Sequence, residues 1–504
     1  MPPRAGDRSP RARRLAMSDQ PIHALALDET PSLRPLTPDA LAAVQGASLR
    51  VLAETGVSVG SPGVRARLAG AGALVDGDRV RFPAGFVLAA VARAPRGYLL
   101  AARDPTCDLP LDGRHGYLSV DGSAAEMLDP QTGLRRASTA ADLALVTRLA
   151  DALPEIAFLW QGVEAGDAPA PVRPLHELRV QLANSRKHVQ LMTAVTPLAA
   201  RGAVAMARAV VGGADALRAR PILSSFQVSL SPLTFEGDAL EAALVYAEAG
   251  VPAGFVVMPI ACATAPATTA GALVQSNAEV LAGIAILETL VPGAPTFYGA
   301  CSTTLDLRTA LVACGGPEDL LLQAALAQLA RANGLPSSIG TFAPGAKAAD
   351  WQAGVENGLS GLVSLLAGAE MLSGAGLLHA ARVFALDEMV LDAEIFGLLR
   401  HLSAGISVSE DDLAVRAIGE VGPGGNFLAE DHTVAHMREL WRPRLFDRGT
   451  WEDWEAADRP EPRARARERA DALLASHVVP ELPNGVAAEL DRIVAAFSQE
   501  AGIG

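Results

Sequence analysis

Residues 253–298 read AGFVVMPIACATAPATTAGALVQSNAEVLAGIAILETLVPGAPTFY and contain the unit that decides the fold. The run 255–258 is apolar at every position, which is typical of a short strand covered on both faces. Residues 270–290 form a long stretch rich in Ala and Leu, and this length favours a helix over a strand. A second short strand is predicted at 296–298. This order indicates two parallel strands joined by a crossover helix.

The same unit recurs along the chain, because short apolar runs alternate with helical stretches after residue 140. Strands are predicted at 156–160, 188–192, 222–226, 255–258, 296–298, 337–340, 371–373 and 406–408. Eight units at this spacing favour a (β/α)8 barrel. A doubly wound open sheet is the alternative, but its Gly-rich G-x-G-x-x-G turn follows none of these strands. The predicted fold class is therefore α/β, a (β/α)8 TIM barrel with an N-terminal α+β cap segment and a C-terminal helical extension.

Four segments follow from this interpretation. Residues 1–35 are rich in Pro, Arg and Asp without periodicity, so we predict a disordered tail. The cap segment is predicted at 36–140 and the barrel, as the catalytic domain, at 141–421. Residues 422–504 are predicted to form the C-terminal extension and a charged helical tail.

Composition excludes several classes of function. The chain has 42 basic and 56 acidic residues and a net charge of −14, which argues against a nucleic-acid-binding or anionic-membrane surface. No run approaches 18 uninterrupted apolar residues, so no membrane helix is predicted. The four cysteines lack C-x-x-C spacing, which argues against a disulfide framework or a cysteine zinc site. We expect a cytoplasmic protein.

Motifs of hydrolytic chemistry are scarce. The sequence has no G-x-S-x-G and no H-E-x-x-H motif. His432 and His436 are four residues apart beside Glu430 and Asp431, and two histidines at this spacing share a helix face. The pair follows the last predicted strand and lacks an obvious third ligand. No metal site is predicted, although a zinc-dependent barrel hydrolase or lyase stays open as an alternative.

Six stretches at ordered spacings carry a family resemblance over residues 35–455. They are DPQTGLRR at 129–136, ANSRK at 183–187, SPL at 231–233, the run 259–295, AKAADWQAG at 346–354, and GPGGNFL at 422–428 followed by PRLFDR at 443–448. Together they resemble the trimethylamine methyltransferase family in its form without pyrrolysine.

The resemblance implies a barrel that docks a corrinoid protein at the C-terminal ends of its strands. The methyl group of a quaternary or tertiary amine, such as glycine betaine or trimethylamine, would then pass to Co(I). The cobalamin belongs to the partner, so no cofactor is expected within this chain. A non-catalytic barrel that binds quaternary amines stays open, as does a homo-oligomer.

Two departures from the family pattern bear on the identity of the substrate. Pyrrolysine, which marks true trimethylamine enzymes, is absent from the sequence. The turns at 259–263 and 340–344 also depart from the pattern that the resemblance implies. Because a quaternary ammonium releases a neutral amine without activation, these features favour a quaternary amine as the methyl donor.

Five residues are predicted to bind this substrate. Aromatic faces attract organic cations, and Phe226, Tyr298 and Phe342 lie near predicted strand ends. For Phe226 and Phe342, packing at the end of the barrel is the open alternative. His379 and Arg382 follow the seventh predicted strand and would suit the carboxylate of a betaine, although both also fit an exposed loop.

Two residues are predicted to be catalytic. Lys347 precedes the sixth predicted barrel helix, near the place where the resemblance implies the pyrrolysine of relatives, and a solvated lysine is the alternative. Glu370 opens the seventh predicted strand after an apolar helix. A carboxyl group buried at this position would need a polar partner.

Overall fold

In the computed structural model, which describes residues 21–28, 30 and 32–503, eight parallel strands form a closed barrel. They are β1 (His115–Val120), β2 (Ile156–Leu159), β3 (His188–Leu191), β4 (Leu223–Val228), β5 (Ala253–Val257), β6 (Tyr298–Ala300), β7 (Ser337–Gly340) and β8 (Met371–Ala375). Each strand pairs with the next, and β8 pairs with β1. The predicted fold class is confirmed.

A helix follows every strand. The helices are α1 (Ala140–Ala152), α2 (Arg173–Asn184), α3 (Pro197–Val211), α4 (Gly237–Glu248), α5 (Thr269–Leu290), α6 (Pro317–Asn333), α7 (Trp351–Ala367) and α8 (Leu386–Ser403). Their N-termini lie at the C-terminal ends of the strands, here called the mouth; the opposite end is the base. A short helix, Ala214–Ala219, lies between α3 and β4.

The predicted strand at 406–408 is wrong. Ile406 is 87% exposed and Val408 is 71% exposed, and neither belongs to a strand. The eighth strand is instead β1, which lies inside the segment assigned to the cap. β1 was missed because its sequence, HGYLSV, alternates polar and apolar residues and is flanked by short strands, a pattern that resembles a hairpin. The barrel thus extends from β1 to α8 rather than over 141–421.

The N-terminal segment covers the side and base of the barrel. Its helices are Pro38–Arg50, Pro62–Gly70 and Ala84–Arg93, with a π-helix at Val51–Thr55 and a 3-10 turn at Pro105–Cys107. Its short strands are Val57–Val59, Leu74–Asp76, Arg79–Arg81, Tyr98–Leu100 and Leu109–Leu111. The last two strands form a hairpin whose Leu100, Leu109 and Leu111 pack with Tyr117 and Met371 from inside the barrel. This hairpin closes the base, and the α+β cap is confirmed.

The helix α5 is long and apolar enough to cross a membrane by length and composition. It is largely buried, and it packs against Pro38–Arg50 and Ala84–Arg93 on one side and against β5 on the other. A helix that is hydrophobic all round is expected at the centre of a large protein. Its apolarity therefore reflects its position between the cap and the barrel.

The prediction of a disordered tail over 1–35 is wrong for part of that range. Residues 1–20, 29 and 31 lie outside the described residues. The short strand Leu25–Ala26, however, pairs antiparallel with the start of β1, and the Leu25 side chain is fully buried. His23 Nδ1 lies 3.1 Å from Glu155 Oε1, just before β2. The strand Leu25–Ala26 was not predicted because two residues are too few to show a periodic pattern in the sequence.

The C-terminal extension is helical, as predicted. Its helices are Glu410–Leu413, Val415–Val421, Asp431–His436, Trp451–Ala456, Pro462–Ser476 and Val486–Glu500. The last two pack on the outside of the barrel, against α8 and α3 respectively. Ion pairs from Arg463 and Arg467 to Asp387 anchor the first of these two at the start of α8.

Leu25 provides a test of the base. Leu25→Ala should lower the free energy of unfolding by about 2–4 kcal/mol, because it leaves a cavity where the N-terminal strand seals β1. Leu33→Ala, at a partly exposed leucine a few residues along, is the matched control and should change it by less than about 1 kcal/mol. Equal losses in denaturant unfolding would contradict this assignment.

Candidate active site

Strand register determines which side chains enter the barrel. Tyr117 on β1, Phe158 on β2 and Met371 on β8 all pack in the interior cluster. Because successive residues of a strand point to opposite faces, the residues two and four positions further on also point inward, nearer the mouth. This rule places Asp121, Trp160 and Ser373 in the interior, and the contacts below agree with it.

Asp121 is the ionisable group at the centre of the mouth. It directly follows β1, keeps some solvent contact, and accepts a hydrogen bond from the Gly122 backbone N–H. Burial raises the pKa of Asp121 to about 7, and the Gly122 N–H and the neighbouring Ser373 hydroxyl oppose this rise. Asp121 was not predicted as a site residue, because β1 was not among the predicted strands. The Asp-Gly pair that ends the run HGYLSV was the available signal.

A β-bulge in β8 sets the geometry beside Asp121. The register with β1 shifts between Ser373 and Ala375, around Gly374, which has a φ of 134°. A Cβ at Gly374 would lie 1.9 Å from the Thr341 carbonyl oxygen, so only glycine fits. The Ser373 hydroxyl is buried beside the Asp121 carboxyl. A buried polar group of this kind beside a carboxyl is available to a ligand.

Two aromatic rings, here called the floor, lie beside this carboxyl inside the barrel: Phe158 pairs with Ser119, so Trp160 is level with Asp121. Trp160 and Phe226 are buried in the interior cluster, and their ring centroids are 4.5 Å apart. Trp160 Nε1 donates a hydrogen bond of 2.6 Å to Gln190 Oε1. Phe226 was predicted from the sequence, whereas Trp160 was not assigned to the site. Aromatic rings held beside a carboxyl suit an organic cation.

A polar chain inside the barrel holds this floor in place. Gln190 Nε2 donates to Ser224 Oγ at 3.1 Å, and His188 Nε2 lies 2.8 Å from the same oxygen. His188 Nδ1 reaches the Ala101 carbonyl oxygen of the hairpin at the base, at 2.7 Å. Burial lowers the pKa of His188 to about 4, so the imidazole is neutral at physiological pH. The chain therefore positions Trp160 without adding charge.

Other buried carboxyl groups surround the mouth. Glu177 on α2 accepts hydrogen bonds from Thr193 Oγ1 at 2.8 Å and from the Ala165 N–H at 3.1 Å. Burial raises the pKa of Glu177 to about 7 and that of Asp319, in the first turn of α6, to about 6. On α8, burial also raises the pKa of Asp392. A cation bound nearby would favour the charged form of these groups.

A single glutamate joins two of the stretches that resemble the family. Glu279 on α5 accepts hydrogen bonds from Ser229 Oγ at 2.7 Å, Ser231 Oγ at 2.8 Å and the Leu233 N–H at 2.9 Å. Gln275, one turn earlier, donates to the same carboxylate at 3.0 Å. Residues 231–233 and 275–279 are therefore parts of one structure that shapes the loop after β4.

Two predicted aromatic ligands do not reach the mouth. Tyr298 is fully buried, and its hydroxyl donates to Asn277 Oδ1 on α5 at 3.0 Å. Phe342 is also fully buried and packs close to Gly361 on α7. Both side chains therefore point toward the surrounding helices, and the prediction that they bind substrate is wrong. Composition and spacing predict the position of Tyr298 and Phe342 along the strands but not the face to which their side chains point.

Glu370 lies at the wrong end of the barrel for catalysis. It directly precedes β8 and accepts a hydrogen bond of 2.8 Å from the Gly113 N–H, just before β1. Burial raises the pKa of Glu370 to about 7. Because residues that precede a barrel strand lie at the base, its assignment as a catalytic residue is wrong. It joins the first and last strands instead.

Three predicted residues do come together at the rim of the mouth. His379 and Arg382 lie in the loop after β8, and the exposed Lys347 lies in the loop after β7. The His379 N–H donates to the Ala346 carbonyl oxygen at 2.7 Å, which joins the two loops. Burial, followed by the charges of Lys347 and Arg382, lowers the pKa of His379. Lys347 and Arg382 are cations, and the lowered pKa leaves His379 neutral near pH 7. Together they form a group, here called the cationic cluster, that could receive a carboxylate.

Exposed apolar side chains surround the mouth. Trp351 begins α7 and is 86% exposed, and Leu307 is 73% exposed in the hairpin after β6. Other exposed apolar residues of this rim are Val228, Leu230, Met258 and Leu311. The hairpin is formed by Thr303–Asp306 and Leu311–Val312, and it pairs with Ile260–Ala261 from the preceding loop. We call these six side chains the mouth rim.

Further short strands belong to the same end of the barrel. Ser123–Ala124 pairs with Gly162–Val163, and Glu126–Leu128 pairs with Arg135–Ala137 and Val383–Phe384. Leu377–Leu378 extends the second of these sheets, Thr234–Phe235 pairs with the cap, and a 3-10 turn lies at Ala170–Val172. The loops of the mouth are therefore fixed by hydrogen-bonded pairing.

The histidine pair lies far from this site. His432 and His436 stack at 4.2 Å, and His436 gathers with Asp412 and Glu439 so that one ligating atom of each lies within 4.8 Å of the others. Asp412 and Glu439 thus lie beside His436 as further possible ligands, which the sequence alone did not indicate. All belong to a segment attached at the base, so a metal there would hold the extension and would not reach the mouth.

Comparison with known proteins identifies relatives along the whole chain. The model of the family described as trimethylamine methyltransferase matches residues 4–502. A trimethylamine methyltransferase of Desulfitobacterium hafniense is 34% identical over 466 residues, which is 92% of this chain and 94% of that protein. A glycine betaine methyltransferase of the same species is 33% identical over 476 residues, which is 94% of this chain and 98% of that protein.

One solved structure supports the fold. The monomethylamine methyltransferase of Methanosarcina barkeri matches with a TM-score of 0.50 and 13% identity, covering 88% of this chain and 89% of that one. At this identity the match shows a shared fold only.

The pKa of Asp121 leads to a prediction about cation binding. Burial raises the pKa of Asp121 in the folded protein to about 7. This carboxyl is therefore mostly neutral below pH 7 and mostly charged above it. The affinity for tetramethylammonium should therefore rise with pH through 7, by up to about tenfold per pH unit below it. Asp121→Asn should bind weakly and without this pH dependence in calorimetric titrations. Glu370→Gln, at a base carboxyl with a similar pKa, should keep the normal profile.

Proposed function

This chain belongs to the trimethylamine methyltransferase family, and from that membership we propose that it transfers a methyl group from a quaternary amine to the cobalt of a corrinoid protein. The observation that carries the proposal is the Asp121 carboxyl beside the Trp160 and Phe226 floor. The arrangement offers a negative charge and two aromatic faces to one organic cation.

The chemistry needs little more from this chain. The reduced cobalt supplies the electron pair that displaces the amine. A quaternary ammonium then leaves as a neutral tertiary amine, so no residue has to deliver a proton. Asp121 and the aromatic floor would hold the cation in line and exclude water, which are the contributions that orientation and desolvation make to such a displacement.

The absence of pyrrolysine favours a quaternary substrate. Free trimethylamine would have to leave as an amide anion unless a residue activated it first. Relatives named for both trimethylamine and glycine betaine are about equally similar to this chain, so identity alone does not choose between these donors. The requirement for a neutral leaving group favours the quaternary amine.

The cationic cluster in the loops after β7 and β8 suggests which quaternary amine is bound. Lys347 and Arg382 place positive charge, and His379 a neutral hydrogen-bonding ring, at the edge of a mouth whose interior contains the Asp121 carboxyl. A betaine carries its cation and its carboxylate on opposite ends, and it would match this pattern. We therefore place glycine betaine and other carboxylate-bearing quaternary amines ahead of choline-like compounds.

The mouth rim suggests how the corrinoid protein docks. An exposed Trp is uncommon, and Trp side chains in the centre of an interface are among those that contribute most to binding. Trp351, Leu307 and Met258 surround the opening through which the cobalt would have to reach the substrate. An apolar ring at this position fits a transient partner protein.

The proposed reaction can be followed directly. With a reduced corrinoid protein, addition of glycine betaine should convert the Co(I) absorbance to that of methyl-cobalt, whereas trimethylamine should give little change. Choline provides the comparison for the role of the carboxylate and should react more slowly. Methyl transfer from trimethylamine alone would contradict the proposed substrate.

The same assay separates catalysis from binding. An enzyme that binds betaine in calorimetry but never forms methyl-cobalt with any corrinoid protein would be a binding protein. In that case the transfer function would be wrong, although the cation site would remain.

Docking at the mouth rim has a matched test. Leu307→Asp should weaken binding of the corrinoid protein by at least about tenfold, because it places a charge in an apolar interface. Leu440→Asp changes a leucine of nearly equal exposure at the opposite end of the barrel and should leave this affinity unchanged. Similar effects of both variants in surface-binding measurements would contradict docking at the mouth.

A further inference from the structure

Residues 405–443, here called the base segment, enclose ionisable side chains and leave most of their large apolar side chains exposed. Eight apolar residues of this segment are each more than half exposed: Ile406, Val408, Leu413, Val415, Ile418, Leu428, Val434 and Leu440. The side chains of His436 and Glu439, by contrast, are only 16% and 11% exposed. Soluble proteins usually enclose the opposite set, so the enclosure of these two groups needs a physical cause.

Three ionisable side chains meet across the base segment. Asp412 lies in the short helix Glu410–Leu413, whereas His436 ends the helix Asp431–His436 and Glu439 follows it. One possible ligand atom of each residue lies within 4.8 Å of those of the other two. Carboxylate oxygens and imidazole nitrogens bind zinc and other divalent transition metals.

The distances in this cluster suit the ligands of one metal ion. Two ligands of a tetrahedral zinc ion, each about 2.0–2.1 Å from the metal, lie about 3.3 Å apart. His436 Nδ1 lies 3.2 Å from Glu439 Oε1, so these two groups already have this spacing. The carboxylate of Asp412 is within 4.8 Å of both, a distance that rotation of its side chain can shorten.

The groups around His436 orient its ring as a metal ligand. Its second ring nitrogen, Nε2, faces Asp411 Oδ2 at 3.5 Å. A carboxylate is a usual partner for the far nitrogen of a metal-bound imidazole. The ring of His432 stacks on that of His436 at 4.2 Å, and His432 Nε2 lies 3.1 Å from the Asp411 carbonyl oxygen. These contacts hold the imidazole plane against the turn that carries the acidic residues.

A single histidine–carboxylate ion pair does not balance the charge of this cluster. The carboxyl groups of Asp411, Asp412 and Glu439 surround one imidazole. At neutral pH these four groups are therefore net negative even when His436 is protonated. Clustered carboxylates repel one another, and a divalent cation bound among them removes that repulsion.

We propose that Asp412, His436 and Glu439 bind a divalent transition-metal ion, with zinc as the first choice and a water molecule as the fourth ligand. The metal would join residues 410–413 to residues 431–439. None of the residues 405–443, all of which the structure describes, is buried, so the metal would take the place of an apolar core. Metal binding contributes directly to the folding of segments that bury little.

The position of the base segment separates this metal from the methyl transfer. Before the segment, Ser403 Oγ accepts a hydrogen bond of 3.0 Å from the Ala26 N–H, beside the start of β1. After it, Arg444 Nη1 lies 3.1 Å from Glu155 Oε1, immediately before β2. Both attachments are at the base, so the metal would stabilise this end of the chain and would not contact the substrate. The inference therefore does not depend on the proposed function.

Zinc binding to the full chain tests the proposal. After treatment with a chelator, the protein should take up about one zinc ion per chain in calorimetric titrations. His436→Gln and Glu439→Gln should each weaken this binding by at least about tenfold, because each removes a ligand. His115→Gln is the matched control and should bind zinc normally. His115 Nδ1 lies 3.0 Å from Asp112, and this pair has no third ligand among the described residues.

Hydrogen exchange shows whether the metal orders the base segment. Removal of zinc should speed exchange of the backbone amides in 410–413 and 431–439 at least tenfold. Exchange in the mouth hairpin, residues 303–312, should stay the same. In His436→Gln the two stretches should exchange rapidly with or without zinc. Circular dichroism of each variant verifies that the barrel is folded.

Three results would overturn the proposal. One is a full chain that takes up less than about one tenth of an equivalent of zinc at micromolar concentration. Another is zinc binding that His436→Gln and Glu439→Gln weaken no more than His115→Gln does. The third is binding of magnesium or calcium as tight as that of zinc, because these ions select carboxylates without an imidazole.

Discussion

Pairing between β1 and β8 is the interaction on which the rest of the structure depends. Met371 to Ser373 pair with Tyr117 to Ser119, and the bulge at Gly374 shifts the register before Ala375 pairs with Val120. This closure joins strands that are 250 residues apart, and it brings the ends of all eight strands to one mouth. Asp121 and Ser373 become neighbours only because these two strands meet. A site built across this seam exists only when the barrel is closed.

The two ends of the barrel use buried ionisable groups for different purposes. At the base, Lys187 donates three hydrogen bonds to backbone carbonyl oxygens, including those of Ala150 and Leu153 at the end of α1. Burial lowers the pKa of Lys187 to about 8, and Asp151 opposes this shift. Glu370 similarly binds the backbone at the start of β1. At the mouth, by contrast, Asp121 lies beside the Ser373 hydroxyl and keeps some solvent contact, so it can still interact with a ligand.

Sequence reasoning recovered the fold because it depends on period and composition. Seven of the eight barrel strands, the cap and the helical extension follow from apolar runs, spacing and turn residues. The predicted eighth strand at 406–408 failed because β-branched residues occur there without the burial that a strand needs. The same error concealed β1, and with it Asp121. Spacing alone cannot show which of two short β-like runs is the eighth barrel strand. The runs differ in their strand pairing, and the pairing of β1 with β8 joins parts of the chain that are distant in sequence.

The site was harder to predict because it depends on facing direction and on barrel end. Phe226 and Tyr298 both lie in or beside apolar strands, yet one points inward and the other toward α5, and only the register decides which. Glu370 was recognised as a buried carboxyl that needs a partner, but its place before β8 puts it at the base. By contrast, Lys347, His379 and Arg382 were placed correctly at the rim, because loops that follow strands always lie at the mouth.

An acidic interior below a basic rim also resolves an energetic difficulty of binding a cation in a closed barrel. A permanent buried charge would destabilise the empty protein, since desolvation of an unpaired carboxylate is costly. With a pKa of about 7, Asp121 is partly protonated when the site is empty and becomes fully charged when a cation arrives. The cationic cluster at the rim faces solvent, where its charge costs little until a carboxylate binds. For the betaine proposed as substrate, these two groups would offer one charge to each end of the molecule.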